Sequence, residues 1–179
     1  QMAMPGAAPR YFSHPNYANS PLPGNAVSEW NAIAQEILQP TPDPNMPMPM
    51  TGVSMSAAFV YLSYMHAAIY NALVAIEGGY APYNSALTAD PDASRDAAAA
   101  AAAYGVLKHY FPLDPMLDGK YAAALAAIPP DVAPITAKED GIAVGQSAAA
   151  EIIALRSGDI LIGDGGYVVL PPGSGVWEP

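Results

Sequence analysis

Between Asp43 and Glu77 the chain carries not one Asp, Glu, Lys or Arg, and this limits its folding more than any other feature. Within the stretch, residues 61–83 read YLSYMHAAIYNALVAIEGGYAPY, an apolar run with a single histidine that ends on Gly78-Gly79. Met55, Phe59, Leu62, His66, Ile69, Leu73 and Ile76 step by fours and threes, the spacing of one helix face. Ala58, Ala68, Ala72 and Ala75 occupy the other side and are small enough for a second helix to come close. The spacing predicts a helix over 54–77, apolar nearly all round and therefore buried, stopped by left-handed glycine.

A membrane span, a metal-binding helix and the central helix of a bundle all share this appearance. The span is disfavoured by Ser54, Ser56, Ser63, His66 and Asn71, and by alanine standing where leucine would drive insertion. A metal helix needs a second ligand one turn away, and the positions four before and four after His66 hold Leu62 and Tyr70. His14 and His109 add no ligand spacing. The expectation is a bundle helix with no membrane span, in which His66 is a hydrogen-bonded core residue.

Charge sorts the partners. Net charge is −10, and the six basic residues, Arg10, Arg95, Lys108, Lys120, Lys138 and Arg156, stand singly along the chain. Phosphate backbones and anionic membrane surfaces call for clustered cations, so no nucleic-acid partner is expected. With 52% apolar and 12% charged residues, the 179-residue chain has the makings of one well-filled core. There is no cysteine, hence neither a disulfide framework nor thiolate chemistry. The first residue, Gln1, is no initiator, which predicts a secreted chain whose leader has been removed.

Prolines punctuate the rest. Pro5, Pro9, Pro15, Pro21 and Pro23 make 1–24 an extended arm. A first helix is predicted over 27–38, with Asn25 or Ser28 as its cap and Trp30, Ile33, Ala34 and Ile37 facing inward. PTPDPNMPMPM (40–50) ends it as a polyproline-like strap. Asp90-Pro91 and Asp114-Pro115 place a capping carboxylate before a proline suited to a first helical turn. They are expected to open an alanine-rich helix over 94–111 and a short one over 116–127. Thr136 with Glu139 reads as a capping box for a fifth helix reaching Arg156, with Gly141 and Gly145 forming a flat strip on it. Lys108 and His109 complement the dipole at the end of the third helix. The only strand signal is 167–170. This is an all-α bundle of five main helices, with the second and fifth at its centre.

No catalytic, cofactor-binding or metal-ligating residue emerges. GDILIGDGG (158–166) contains Asp159 and Asp164 but lacks the ligand positions of a calcium loop, and reads as a turn. No Gly-x-Ser-x-Gly elbow and no phosphate loop occurs, and Pro-Gly-Ser-Gly at 172–175 lies in a proline-rich tail.

One set of segments, taken in order, does carry a resemblance. WNAIAQEIL, MHAAIYNALVAIEGGYAPY, VLKHYFP, GIAVGQSAAAEIIALRSGD and PGSGVWEP follow one another along the chain. Together they resemble the N-terminal helical half of vanadium-dependent haloperoxidase-like proteins of the type-2 phosphatidic acid phosphatase superfamily. The resemblance covers nearly all of the chain beyond residue 25. It implies a helical fold related to enzymes that hold vanadate or process phosphate esters. It also implies that the chemistry lies in a later half, on a lysine, arginines, a Ser-Gly-His segment and a histidine that binds vanadium or attacks phosphorus. None of these maps here: beyond Arg156 there is no Lys, Arg or His, and Ser174-Gly175 is followed by Val176.

The domains expected are therefore an arm over 1–24, a bundle over 25–158, and an irregular tail over 159–179 leading into an absent C-terminal half. The function expected is that of a non-catalytic half, with no cofactor in this chain and vanadate implied only for a full-length protein. Met46, Met48 and Met50, with Tyr167, Val168, Val169, Leu170, Val176 and Trp177, are the apolar side chains expected to face that C-terminal half or a second copy. The alternative is a stand-alone secreted helical protein with a binding or structural role.

Overall fold

The computed structural model describes residues 25–38, 53, 55–129, 136–159, 171 and 173. The arm over 1–24, the strap over 40–50, the strand signal at 167–170 and the apolar tail residues assigned to a partner surface lie outside them. Among the described residues there are five helices and no strand: α1 (Ala26–Leu38), α2 (Met55–Glu77), α3 (Arg95–Tyr110), α4 (Leu117–Ala127) and α5 (Ala137–Leu155). The all-α bundle expected from the sequence is what forms.

The centre is not where the sequence pattern put it. α3, rather than α2 with α5, is the hub: it packs on α1, α2, α4 and α5. Ala97 through Ala103 are all buried, with Val106 and Leu107 after them. An alanine helix is the thinnest cylinder a side-chain-bearing chain can make, so neighbours can close in on every side of it. The run read as helix propensity is therefore also the core.

α5 lies along α3 with the two running in the same direction. Gly141 sits against Ser94, Gly145 against Ala98 and Ala101, and Ala149 against Gly105. The Ser94 amide donates to the Ala137 carbonyl at 2.7 Å, joining the starts of both helices. The flat strip at Gly141 and Gly145 performs the close approach expected of it.

α2 uses a different face from the predicted seam. Ile69, Leu73 and Ile76 are buried as expected, but Leu62 and His66 are half-buried and Phe59 is 64% exposed. Tyr64, Met65, Ala68 and Ala72 are buried in their place. The seam follows a coiled-coil rule of large side chains interlocking. α2 instead packs on α3 and α5, whose small residues leave room for Tyr64 and Met65.

The helix ends divide likewise. Asn25 caps α1, its Oδ1 accepting from the Ser28 amide at 3.0 Å. Asp114 Oδ1 accepts from the Met116 and Leu117 amides at the start of α4, at 2.9 and 3.1 Å. Gly78 and Gly79 take φ of 65° and 81° after α2, the left-handed stop predicted for them. Asp90 does not cap α3. Its Oδ1 closes a local turn onto the Asp92 amide at 2.9 Å, and Ser94 is the cap, its Oγ accepting from Ala97 at 3.3 Å. The Thr136–Glu139 box does not form either. Thr136 has φ −86° and ψ −7°, already helical, and makes no side-chain cap bond. A capping side chain needs an extended backbone to turn back onto the following amides.

Candidate functional site

The described residue with the least exposure among polar side chains is Asn71, on α2. Its Nδ2 donates to the Tyr83 carbonyl at 3.0 Å, and its Oδ1 accepts from the Tyr83 amide at 2.8 Å. A side-chain amide thereby pairs with one backbone residue as a neighbouring strand would, pinning the loop after α2. Farther along that loop, Ser85 Oγ donates to Glu151 Oε2 on α5 at 2.5 Å.

Tyr83, so held, meets Arg156 just beyond α5, whose Nη2 donates to the Tyr83 hydroxyl. The guanidinium carbon lies 5.5 Å from the Tyr83 ring centre and 5.8 Å from that of Tyr64, cation–π distances to both. Arg156 Nη1 is also 3.8 Å from Asp159 Oδ2, and that oxygen accepts from the Tyr64 hydroxyl at 2.5 Å. Tyr110 on α3 continues the cluster, 5.8 Å from Tyr64 and 4.8 Å from Tyr61, and Phe111 closes edge-on against Tyr61 at 5.2 Å. α2, α3, the 78–94 loop and the end of α5 meet here.

Burial keeps the Tyr64 and Tyr110 phenols neutral. Burial pushes Tyr64 well above the ordinary tyrosine value of 10.0, and its bond to the Asp159 carboxylate adds to the shift. Tyr110 is raised by burial first, then by its neighbours Tyr61 and Asp159. A neutral phenol beside a carboxylate is a hydrogen-bond donor and not a nucleophile. The cluster can orient and fasten these elements.

His66 stands apart from it. Its Nε2 is 3.0 Å from Asn31 Oδ1, a bond between α2 and α1. The expected hydrogen bond exists, though the ring is half-buried and not in the core. Partial burial lowers its pKa from the usual 6.5. His109 is exposed, edge-on to Tyr110 at 4.8 Å, and His14 lies outside the described residues. Among the described residues, no three His, Asp or Glu side chains are grouped to hold a metal ion.

Each described Lys and Arg side chain has a partner, although Arg95 Nη1 is itself buried without one among the described residues. Arg95 pairs with Glu77, Lys108 with Asp118 at 2.9 Å, and Lys120 with Glu36 at 3.3 Å. Lys138 Nζ donates to the Leu125 carbonyl at 2.5 Å, and Arg156 is held as described. Lys108 does sit in the last turn of α3, as its dipole role requires, but its partner is a carboxylate on α4. An oxyanion cradle needs cations that converge and remain unspent, and these five point to five separate places.

Sequence reasoning missed Asn71, Tyr64 and Tyr83, treating Asn71 only as a residue that disfavours a membrane span. Arg156 and Asp159 were visible as landmarks of the Arg-Ser-Gly-Asp segment, and their spacing of three was the one available signal of an ion pair. Asp164 of the rejected calcium loop lies outside the described residues. No family model matches the chain, and neither does any curated protein or solved structure.

Proposed function

We propose that this chain is the non-catalytic N-terminal helical half of a vanadium haloperoxidase-like protein, and that it packs against a C-terminal half carrying the cationic catalytic residues. The order of segments along the sequence is its origin, and the observation that carries it further is the outer face of α2. Phe59 is 64% exposed and Tyr70 42%, with Ser63 exposed between them and Ala67 half-covered, on a helix without a charge before Glu77.

The polar atoms of that face are satisfied from within. Ser63 Oγ donates to the Phe59 carbonyl at 2.7 Å, and the Tyr70 hydroxyl to the Ala81 carbonyl at 2.8 Å. A partner can therefore cover the face without stranding a hydrogen-bonding group. By length and composition Ser56–Glu77 could also cross a membrane, with mean hydropathy 1.4 and 44% of its most apolar window buried in the bundle. We read it as a bundle helix because Asn71 and His66, both costly in lipid, are spent on contacts inside the protein. The same reading takes the protein as secreted.

A second reading is a stand-alone secreted helical protein without catalytic activity. It is favoured by the burial of Ala97 through Ala103, Val106 and Leu107 against the described helices themselves. The deciding experiment is to read the source gene beyond Pro179. A continuing frame with a Ser-Gly-His segment and flanking arginines supports the half-enzyme, and co-expression of that segment should yield a stable complex with turnover. A stop codon directly after Pro179 defeats it and leaves the stand-alone protein, alone or as self-associated copies.

A further inference from the structure

The outer face of α2 is a strip with definite dimensions. At helical spacing Phe59, Tyr70 and Ser63 fall within roughly 40° of one another around the axis, over a length of about 17 Å. All three are exposed. Half-buried Ala67 and Val60 border the strip on one side, and beyond them comes Tyr64, buried and bonded to Asp159. That bond sets the chain just past α5 against the flank of the strip, so residues 160–179 depart from beside it.

What covers the strip has to be narrow and uncharged. α2 carries no charge before Glu77, in a chain of net charge −10. Two copies pairing stably bury about 800 Å² on each partner, whereas a strip of this length and one helix width offers only about 170 Å². An extended segment of about five residues matches its length. Residues 165–177, GGYVVLPPGSGVW, hold no charged side chain, and Tyr167, Val168, Val169 and Leu170 are their longest run of large apolar residues. From Asp159 the chain reaches up to about 26 Å by Tyr167, farther than the strip is long. Pro171 and Gly173 are exposed, which marks where such a segment leaves the surface.

The methionine strap fits less well. α1 begins beside Asp96, next to the Arg95–Glu77 pair at the end of α2, so it runs back toward Met55. A strap tied to Leu38 and Met55 would have to pass out along α2 to Tyr70 and return. That path of about 45 Å leaves residues 39–54 nearly taut.

We propose that residues 167–170 of this chain dock along the outer face of α2, over Phe59, Ser63 and Tyr70. The internal bonds of Ser63 and Tyr70 leave the strip ready for apolar cover. The inference goes beyond the half-enzyme reading and does not depend on it, because the segment belongs to this chain. Where a C-terminal half follows, this segment is the part of the junction that lies on α2.

The test uses the full chain, 13C-labelled, in solution. Nuclear Overhauser cross-peaks are expected between the Phe59 ring protons, assigned with Phe59→Leu, and the methyls of Val168, Val169 or Leu170. Leu170→Asp should abolish them and leave the α3 amide resonances in place; cross-peaks of full intensity in that variant would overturn the inference. So would a Phe59 ring with no cross-peak to 167–170. Cross-peaks from the Met46, Met48 or Met50 methyls instead would give the strip to the strap. Cross-peaks seen only between labelled and unlabelled chains in a mixed sample would give it to a second copy. A stop codon after Pro179 would end the half-enzyme reading and leave the expected cross-peaks untouched, so the two fail separately.

Discussion

Gly145 lies so close to Ala98 that a Cβ built on it would stand 2.3 Å from the Ala98 carbonyl oxygen and 2.7 Å from the Ala101 side chain. No rotamer change relieves this, because the nearest obstacle is backbone. The two helices meet at the smallest separation their chains allow, and both contribute the small residues that permit it.

Gly145→Ala should therefore destabilise the bundle by about 3 kcal/mol, the upper part of the usual range for overpacking, despite alanine's better helix propensity. Gly119→Ala, in α4, is the control: nothing lies within 4 Å of its added Cβ. It should stabilise by about 0.5 kcal/mol. Urea denaturation of both variants checks the contrast, and equal shifts of the same sign would contradict it.

Asn71→Ala removes both bonds to the Tyr83 backbone, at a cost of about 2 kcal/mol. Its local effect is more diagnostic than its global one. The Tyr83 amide should lose its protection from hydrogen exchange, while amides in the middle of α3 fall only by the change in overall stability.

Tyr64→Phe keeps the ring and deletes the hydroxyl that donates to Asp159. The expected loss is about 1–2 kcal/mol, as for a hydrogen bond to a charged group. In a spectrophotometric titration of the folded protein, the variant should lack one of the latest-ionising phenols. An unaltered titration curve would place the raised pKa on another tyrosine.

His66 makes stability depend on pH in one direction. Its folded pKa is held below 6.5 by burial, so the unfolded chain takes up the proton first. The contribution is fully present above about pH 6.5, is lost as pH falls through the lowered folded value, and levels off beneath it. Urea midpoints measured downward from about pH 8 should show this fall, reduced in His66→Gln, and the His66 ring protons should titrate below 6.5 by NMR. A ring titrating above that value would reverse the sign.

By itself the sequence determined which segments are helical and where most of them stop. Asn25, Asp114, Gly78 and Gly79 act on amides and carbonyls within a few residues of themselves, so their effect is readable from neighbours in the chain. The same locality explains why Gly141 and Gly145 could be recognised as a strip. Only the tertiary structure decided that α3 is the hub, that α2 turns Tyr64 and Met65 inward in place of Phe59, and that Ser94 displaces Asp90 as a cap. The candidate site belongs entirely to that second class. Tyr64 and Asp159 are 95 positions apart, Tyr83 and Arg156 are 73 apart, and no periodicity links them. A helix face is chosen by the shape of what lies against it, and the shape here is a cylinder of alanines that hydrophobic spacing records only as absence of bulk.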